Sequence, residues 1–502
     1  MKVFQGWTNA LRLMGPAFLV SVAYLDPGNW ATAIEGGSRF GYDLVWVVVL
    51  SNLIAILLQT LAARLGLVTG KHLAQHCRHE YPPLVSVLLW MLCEVSIVAL
   101  DLTMVIGTAV GLNLLFRLPL LQCILLSGLD SLLLLMMVPS LGLRRGELVT
   151  VGLILVVVCC FLWDLVLSKP PITEVLGGLW PRLSRDSLYT AVSLLGANVM
   201  PHNFYLHSAL VSGQASQIGH GGCSVSDLCR YNLIDISAAL GIALLVNVAV
   251  MLVAAAAFNS VGITVSTLQD AHDVMEQLLS SSIAPAVFGM ALLCAGQLST
   301  FTGTISGQVV LKGFMNIKLT VWVRRLLTRS AAILPAAIVQ IMYGSAAIYQ
   351  MLLIAQVVLA LQLPFTLVPL IKITSSPRHM GAFANSRVTQ AAAWGAAVII
   401  FAANLLLCME LIWPTPSVAP ASAPLSWAAA VMGSLEDLAR GGSLPLAAAY
   451  LACVVATAAG LSLLLWMIIT PLRDDPKAMP QPQALPLHAY EWWDEPVPRT
   501  PS

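Results

Sequence analysis

The stretch "AYLDPGNWATAIEGG", Ala23–Gly37, falls inside the first apolar run of the chain and interrupts it. It sets an aspartate, a proline, a glycine and an asparagine side by side, where each costs free energy in a membrane helix. Pro27 removes a backbone donor and blocks helix continuation. Gly28 admits backbone angles closed to other residues. Together they unwind a turn and free carbonyls from intrahelical bonding. Irregular backbone survives at membrane depth only when it is buried in protein or lines a wet cavity. Asp26 then supplies a negative charge and Asn29 a neutral oxygen, both hard ligands suited to a divalent cation.

The rest of the chain supplies the membrane. Of 502 residues, 58% are hydrophobic and only 10% charged, whereas soluble domains carry about a quarter charged residues. The deficit is spread over many apolar runs, so the fold class expected is an all-α polytopic membrane protein. Spans are predicted at roughly 14–34, 43–63, 84–107, 118–140, 148–168, 188–212, 233–258, 284–310, 328–343, 346–372, 391–413 and 444–470, about twelve helices in all. The N-terminal sequence shows no small-residue cleavage site after a compact apolar core, so no cleavable signal peptide is expected. Most of the 25 Lys and Arg fall on the cytoplasmic side if the N-terminus is cytoplasmic. Arg64, Lys71, Arg144, Arg145, Lys312, Arg324, Arg325, Lys372 and Arg387 are counted there, which predicts cytoplasmic termini.

The second informative stretch is "MPHN", Met200–Asn203, which breaks the sixth span. Spans 1 and 6 head two sets of five. An odd number per set inverts the second set relative to the first, and paired interruptions at corresponding places point to a transporter's midplane site. Pro201 leaves the carbonyl of Ala197, one turn earlier, without a helical partner. Met200 adds a thioether, a soft ligand that favours transition metals over Mg²⁺ and Ca²⁺. Carboxylate, amide oxygen, carbonyl and thioether together describe a site for Mn²⁺ or Fe²⁺.

"DPGNW" and "GANVMPHNFYLHSAL" resemble the signatures of the natural resistance-associated macrophage protein family, proton-coupled Mn²⁺/Fe²⁺ transporters. "EGGSRFGYDLVWVVVLSN", "GTISGQVVLKGF", "LTRSAAILPA" and "AQVVLALQLPFTLVPL" extend the likeness over roughly residues 14–413. The resemblance implies a LeuT-like 5+5 inverted repeat working by alternating access. Its metal ligands fall on Asp26, Asn29, the Ala197 carbonyl and Met200, with the Ala23 carbonyl and the Gln356 amide as ligands in some states. Its proton pathway falls on His202, Asp101, Arg329 and Glu94, with Asp101 and Arg329 as a neutralised pair. One departure stands out. The family usually has a glutamate three residues after the third-span aspartate, and Met104 occupies that place here. "VTGKHLAQ" and "SVGITVSTLQDAHDVMEQLLSS" resemble more closely the membrane domain of the plant protein ethylene-insensitive, although the long signalling tail of that protein is missing.

The predicted organisation is a transport core over 1–413, with repeats at about 14–168 and 188–372 plus span 11. A loop and span 12 follow over 414–471, and a polar, proline-rich tail over 472–502 reads as disordered. The partners expected are divalent metal ions, protons and the lipid bilayer, with no nucleic acid. No cofactor is expected, the metal being substrate. No phosphate loop or nucleophile motif supports an enzyme. The main functional reading is a divalent-metal transporter. The alternative is a non-transporting receptor or scaffold related to the ethylene-signalling domain. Asp130, Asp164 and Asp235 are expected to satisfy helix ends or neighbours, and His207 to be structural. "KHLAQHCRHE", Lys71–Glu80, is expected to be a solvated basic loop, with a metal sink as its second reading. The cysteines read as structural, with no disulfide.

Overall fold

The computed structural model describes residues 16–129, 143–215, 224–263, 265, 267–269, 284–317, 319–412 and 444–472. The described residues are helical throughout, joined by short turns. Among the described residues, six helices are long and apolar enough to cross a membrane: Val45–Thr69, Pro83–Phe116, Val225–Val261, Ala286–Met315, Trp322–Ser375 and Arg387–Met409. Large apolar side chains such as Leu84, Leu155, Val166, Ile341 and Val398 are exposed on their helices, as lipid-facing residues are. The fourth predicted span is seen as Leu120–Leu129. Its remainder, the loop between the last two spans and the tail lie outside the described residues.

The two interrupted spans escape a length criterion because each is split. The first opens as α1 (Pro16–Ser21), tightens into a 3₁₀ turn at Val22–Leu25 and restarts as α2 (Pro27–Phe40). Between them Asp26 is extended (φ −70°, ψ 143°), and its side chain caps α2 by accepting from the Gly28 N–H. An aspartate N-cap followed by proline at the first helical position is a strong helix start. Then come α3 (Val45–Thr69), the short connecting helix α4 (Leu73–Glu80), α5 (Pro83–Phe116), α6 (Leu120–Leu129), α7 (Leu143–Ser168) and α8 (Ile172–Gly177).

The sixth predicted span is α9 (Arg185–Asn198) and α10 (Pro201–Ala215). They are separated at Val199 (φ −122°, ψ 82°) and Met200. α11 (Val225–Ala257) and α12 (Ala284–Met315) follow. The ninth and tenth predicted spans form one run, α13 (Val321–Ser375), broken only at Gly344 (φ 78°, ψ −168°). The sequence reading separates those spans at this point, and only glycine takes that conformation without strain. α14 (Pro377–Met380), α15 (Arg387–Ile412) and α16 (Leu444–Ile469) complete the order.

The breaks sit in the middle of the packing. α5 lies along both α12 and α13, and α13 also packs on α9 and α2. These contacts are close because glycines face backbone. A Cβ on Gly196 would come within 2.0 Å of the Gln356 carbonyl oxygen, and one on Gly107 within 2.2 Å of the Pro27 ring. Gly196→Ala is therefore expected to force α9 away from α13 and cost about 1–3 kcal/mol. Gly395→Ala on α15, where nothing lies within 4 Å, is expected to be neutral or stabilising. Melting temperatures of the two purified variants in detergent check this, and equal values would contradict it.

Candidate functional site

Asp26 is fully buried. Its Oδ2 accepts from the Gly28 N–H at 2.8 Å, from the Thr103 hydroxyl at 2.8 Å and from Gln356 Nε2 at 3.3 Å. Its Oδ1 lies 3.0 Å from the same hydroxyl. Gln356 thus comes from α13 and Thr103 from α5 to meet the gap in the first span. Gly28 makes room: a Cβ there would collide with Gln356 Nε2 at 1.9 Å and with Thr103 Cγ2 at 2.9 Å. Asn29, in the first turn of α2, donates from Nδ2 to the Tyr24 carbonyl at 2.8 Å.

The second break reaches the same place. Gly196 abuts the Gln356 carbonyl, which sets its neighbour Ala197 beside α13. Ala23, Met104, Met200 and Ala355 share one buried apolar cluster, so the residue before Gln356 packs with Met200 and with the 3₁₀ turn that precedes Asp26. Asn203 Nδ2 lies 3.6 Å from the Met200 sulfur. Of the expected ligand residues, Gln356 thus bonds Asp26, Ala23 and Met200 share one apolar cluster with its neighbour Ala355, and Ala197 follows the Gly196 that abuts α13.

Two features mark the locus as chemically incomplete. Asn29 Oδ1, Gln356 Oε1 and Asn203 Oδ1 are buried acceptors without a donor among the described residues. Native proteins rarely leave such atoms unsatisfied. Asp26 also has no Lys, Arg or His within ion-pair distance among the described residues. Three other acids are ion-paired: buried Glu35 with Arg39 at 2.8 Å, partly exposed Glu94 with Arg324 at 2.8 Å and buried Asp101 with Arg325, whereas Asp164 resembles Asp26 in being buried without such a pair among the described residues. A buried carboxylate without a counter-ion, with donor-less amide oxygens and a thioether on the same two helix breaks and on α13, can receive a cation of borderline hardness.

The expected proton-pathway residues form a neighbouring group. His202 is fully buried, and neither ring nitrogen has a hydrogen-bond partner. Asp101 is within electrostatic reach of it. Arg329 Nη1 is 4.0 Å from Asp101, but Arg325 is closer and donates directly to Asp101 Oδ1. Glu94 accepts two 2.8 Å bonds from Arg324 and one from Trp90 Nε1 at 2.9 Å. Arg324 and Arg325, expected in a cytoplasmic loop, are buried in α13. The helix starts at Val321 rather than near 328, and this adds a turn that carries both guanidinium groups to α5. The sequence reading also passes over Thr103. Its spacing gives no signal, because the packing of Gly107 on Pro27 that brings Thr103 to Asp26 belongs to the fold.

The remaining expectations divide. Asp235 caps a helix end as expected, accepting from the Ala17 N–H at 3.2 Å. His207 holds Gln59 Oε1 at 2.9 Å. Asp164 departs from expectation, being fully buried with neither carboxylate oxygen hydrogen-bonded. Asp130 lies outside the described residues. Eight cysteines are free thiols, and Cys223 and the Cys453 side chain are not described. The Lys71–Glu80 segment is not a solvated loop. It folds as α4 with His72 and His76 buried, His76 bonded to Thr69 at 2.9 Å and Glu80 to His379 at 3.0 Å. Among the described residues no group of three or more His, Cys, Asp or Glu is placed to hold a metal, so the metal-sink reading of this segment falls away.

A family model described as natural resistance-associated macrophage protein-like matches residues 17–410. The chain is 46% identical over 413 residues to the divalent metal cation transporter MntH of Brucella suis, covering 81% of this chain and 90% of that one. It is 43% identical over 412 residues to the metal transporter Nramp1 of Populus trichocarpa, covering 80% and 75%. Among solved structures, it superposes on a mutant of the Eremococcus coleocola manganese transporter with a TM-score of 0.79 and 32% identity, covering 92% of this chain and 95% of that one. Mhp1, a nucleobase-cation-symport-1 family transporter, gives a TM-score of 0.52 at 14% identity, covering 80% and 90%, a likeness of fold alone.

Burial holds the His72 and His76 imidazoles down to about 3 from 6.5; Lys312 adds to the effect at His72 and His379 at His76. Between pH 6.5 and 3 the unfolded chain binds protons that the folded one refuses. The stability these histidines contribute is therefore complete well above 6.5 and falls as pH drops, by on the order of 1 kcal/mol each at pH 5.5. Melting temperatures measured from pH 7.5 to 5.5 are expected to fall in the wild type and to fall less in His76→Gln. Identical slopes would contradict this.

Proposed function

The chain belongs to the natural resistance-associated macrophage protein-like family, and from that premise we propose that it is a secondary transporter of divalent transition metals, Mn²⁺ and Fe²⁺. The observation that carries the reading is the unpaired, buried Asp26 carboxylate between two helix breaks. It bonds the Gln356 amide, and the donor-less oxygens of Asn29 and Gln356 and the buried Met200 thioether lie on the same two breaks and on the helix packed against them.

In this reading the cation takes the place of the missing counter-ion. Asp26 supplies the charge. Asn29, Gln356 and the Ala197 carbonyl supply neutral oxygens, with the Ala23 carbonyl joining in some states. Met200 discriminates against Ca²⁺ and Mg²⁺, which prefer oxygen alone. A single carboxylate against a divalent ion leaves binding weak enough for release. The two broken helices head two inverted sets of five within a twelve-span protein, and alternating access rocks one set against the other around the site. The termini are cytoplasmic.

Protons are the coupled ions in this reading. His202 lies two residues beyond Met200, and the Asp101 set, with Arg325 and Arg329, leads toward Glu94 and Arg324 along α5 and α13. Met104 removes one carboxylate from that route. The rival reading, a non-transporting receptor, is not favoured: its motif likeness to the ethylene-signalling domain is outweighed by relatives named as transporters.

Mn²⁺ uptake into proteoliposomes, with internal pH read at the same time, tests the proposal. Uptake with internal acidification is expected in the wild type, loss of uptake in Asp26→Ala, and stronger acidification per ion in Met104→Glu. Absence of Asp26-dependent uptake would overturn the transport reading, and uptake without acidification would overturn the proton link.

A further inference from the structure

Thr103 touches both oxygens of the Asp26 carboxylate, at 3.0 and 2.8 Å, yet it belongs to no ligand set drawn from the motifs. The contact is built into the packing. Gly107, one turn further along α5, lies against Pro27, and the Thr103 methyl fills the space that a side chain at Gly28 would need. A β-branched side chain in a helix has few rotamers, so the hydroxyl is held at the carboxylate.

The hydroxyl has one hydrogen and three acceptors within reach, because the Leu100 carbonyl oxygen of its own helix also lies at 2.8 Å. One O–H satisfies only some of them at a time. With the site empty, the hydrogen serves the carboxylate. With a cation on the carboxylate, the hydrogen turns to Leu100, a bond that threonines in helices commonly make. The oxygen lone pairs then face the ion beside Asp26. The second acceptor means that this turn leaves no donor stranded in a buried site.

We propose that Thr103 is a hydroxyl ligand of the transported cation, adding a hard oxygen to the site beside the Asp26 carboxylate. The proposal rests on the metal-transport reading above. It makes Thr103 a determinant of selectivity, because losing a hard oxygen weakens binding of a hard or borderline ion more than that of a soft one.

Binding of Mn²⁺ and of Cd²⁺ to the purified full-length protein tests it, in wild type, Asp26→Ala, Thr103→Val and Thr103→Ser. Thr103→Val is expected to weaken Mn²⁺ binding about tenfold, the size of one lost contact to a charged group. Its Cd²⁺ binding is expected to change by less than about threefold. Thr103→Ser, which keeps the hydroxyl, is expected to restore Mn²⁺ binding. Melting temperatures establish that each variant is folded, and Thr103→Ala serves in the same comparison if the valine variant is not. Mn²⁺ binding by Thr103→Val equal to wild type, equal losses for both ions, or a serine variant as weak as the valine one would overturn the assignment while Asp26-dependent binding stands. A wild type that binds no Mn²⁺, or binds it independently of Asp26, would overturn the transport reading and this ligand with it.

Discussion

A carboxylate buried without a counter-ion governs the architecture around it. Asp26 has to leave helical geometry to cap α2. Once it does, neutral donors meet it, among them the Gly28 N–H, the Thr103 hydroxyl and the Gln356 amide. Desolvating a charge costs several kcal/mol unless a partner compensates. Glu35, Glu94 and Asp101 each have an arginine, whereas the groups bonded to Asp26 are neutral donors. A binding site differs from a structural ion pair in this respect: the compensating charge arrives from outside and leaves again.

Helix α5 connects the two kinds of acid. It carries Glu94 and Asp101, each bound to an arginine of α13, and then Thr103 at the Asp26 carboxylate. Asp101 and Thr103 are two residues apart, so a small rotation of α5 displaces the ion-pair set and the carboxylate contact together. α13 is held at two levels as well. Gln356 binds Asp26 at the break, and Tyr349, two turns earlier, donates to the Ala31 carbonyl and lies 3.2 Å from the Glu35 carboxylate on α2. Any movement of α13 away from α2 must release both contacts.

Much of this was legible in the sequence because the strongest signals are local. Proline beside glycine inside an apolar run is conspicuous, and the two breaks fall at Asp26 and at Met200 as expected. Gly344 likewise marks the junction of the ninth and tenth spans. Partnerships across helices were less legible. Arg325 was read as a loop charge because a helix start cannot be fixed to within a turn from composition, and that turn carries it to Asp101. Thr103 gave no signal as a lone hydroxyl, since its meaning lies in the approach of α5 that Gly107 permits. The Lys71–Glu80 segment looked solvated from its charge, but His72 and His76 fold inward, the latter bonded to Thr69. Asp164 shows the reverse error, a residue expected to be satisfied whose carboxylate has no hydrogen-bond partner among the described residues.

The most direct test of the central claim is the anomalous scattering of Mn²⁺ in crystals of this protein grown with the ion. A peak in contact with the Asp26 carboxylate, bounded by Asn29, Met200 and Gln356, is the predicted result. A peak elsewhere in the membrane region, with Asp26 still bonded to Gly28, Thr103 and Gln356, would contradict it.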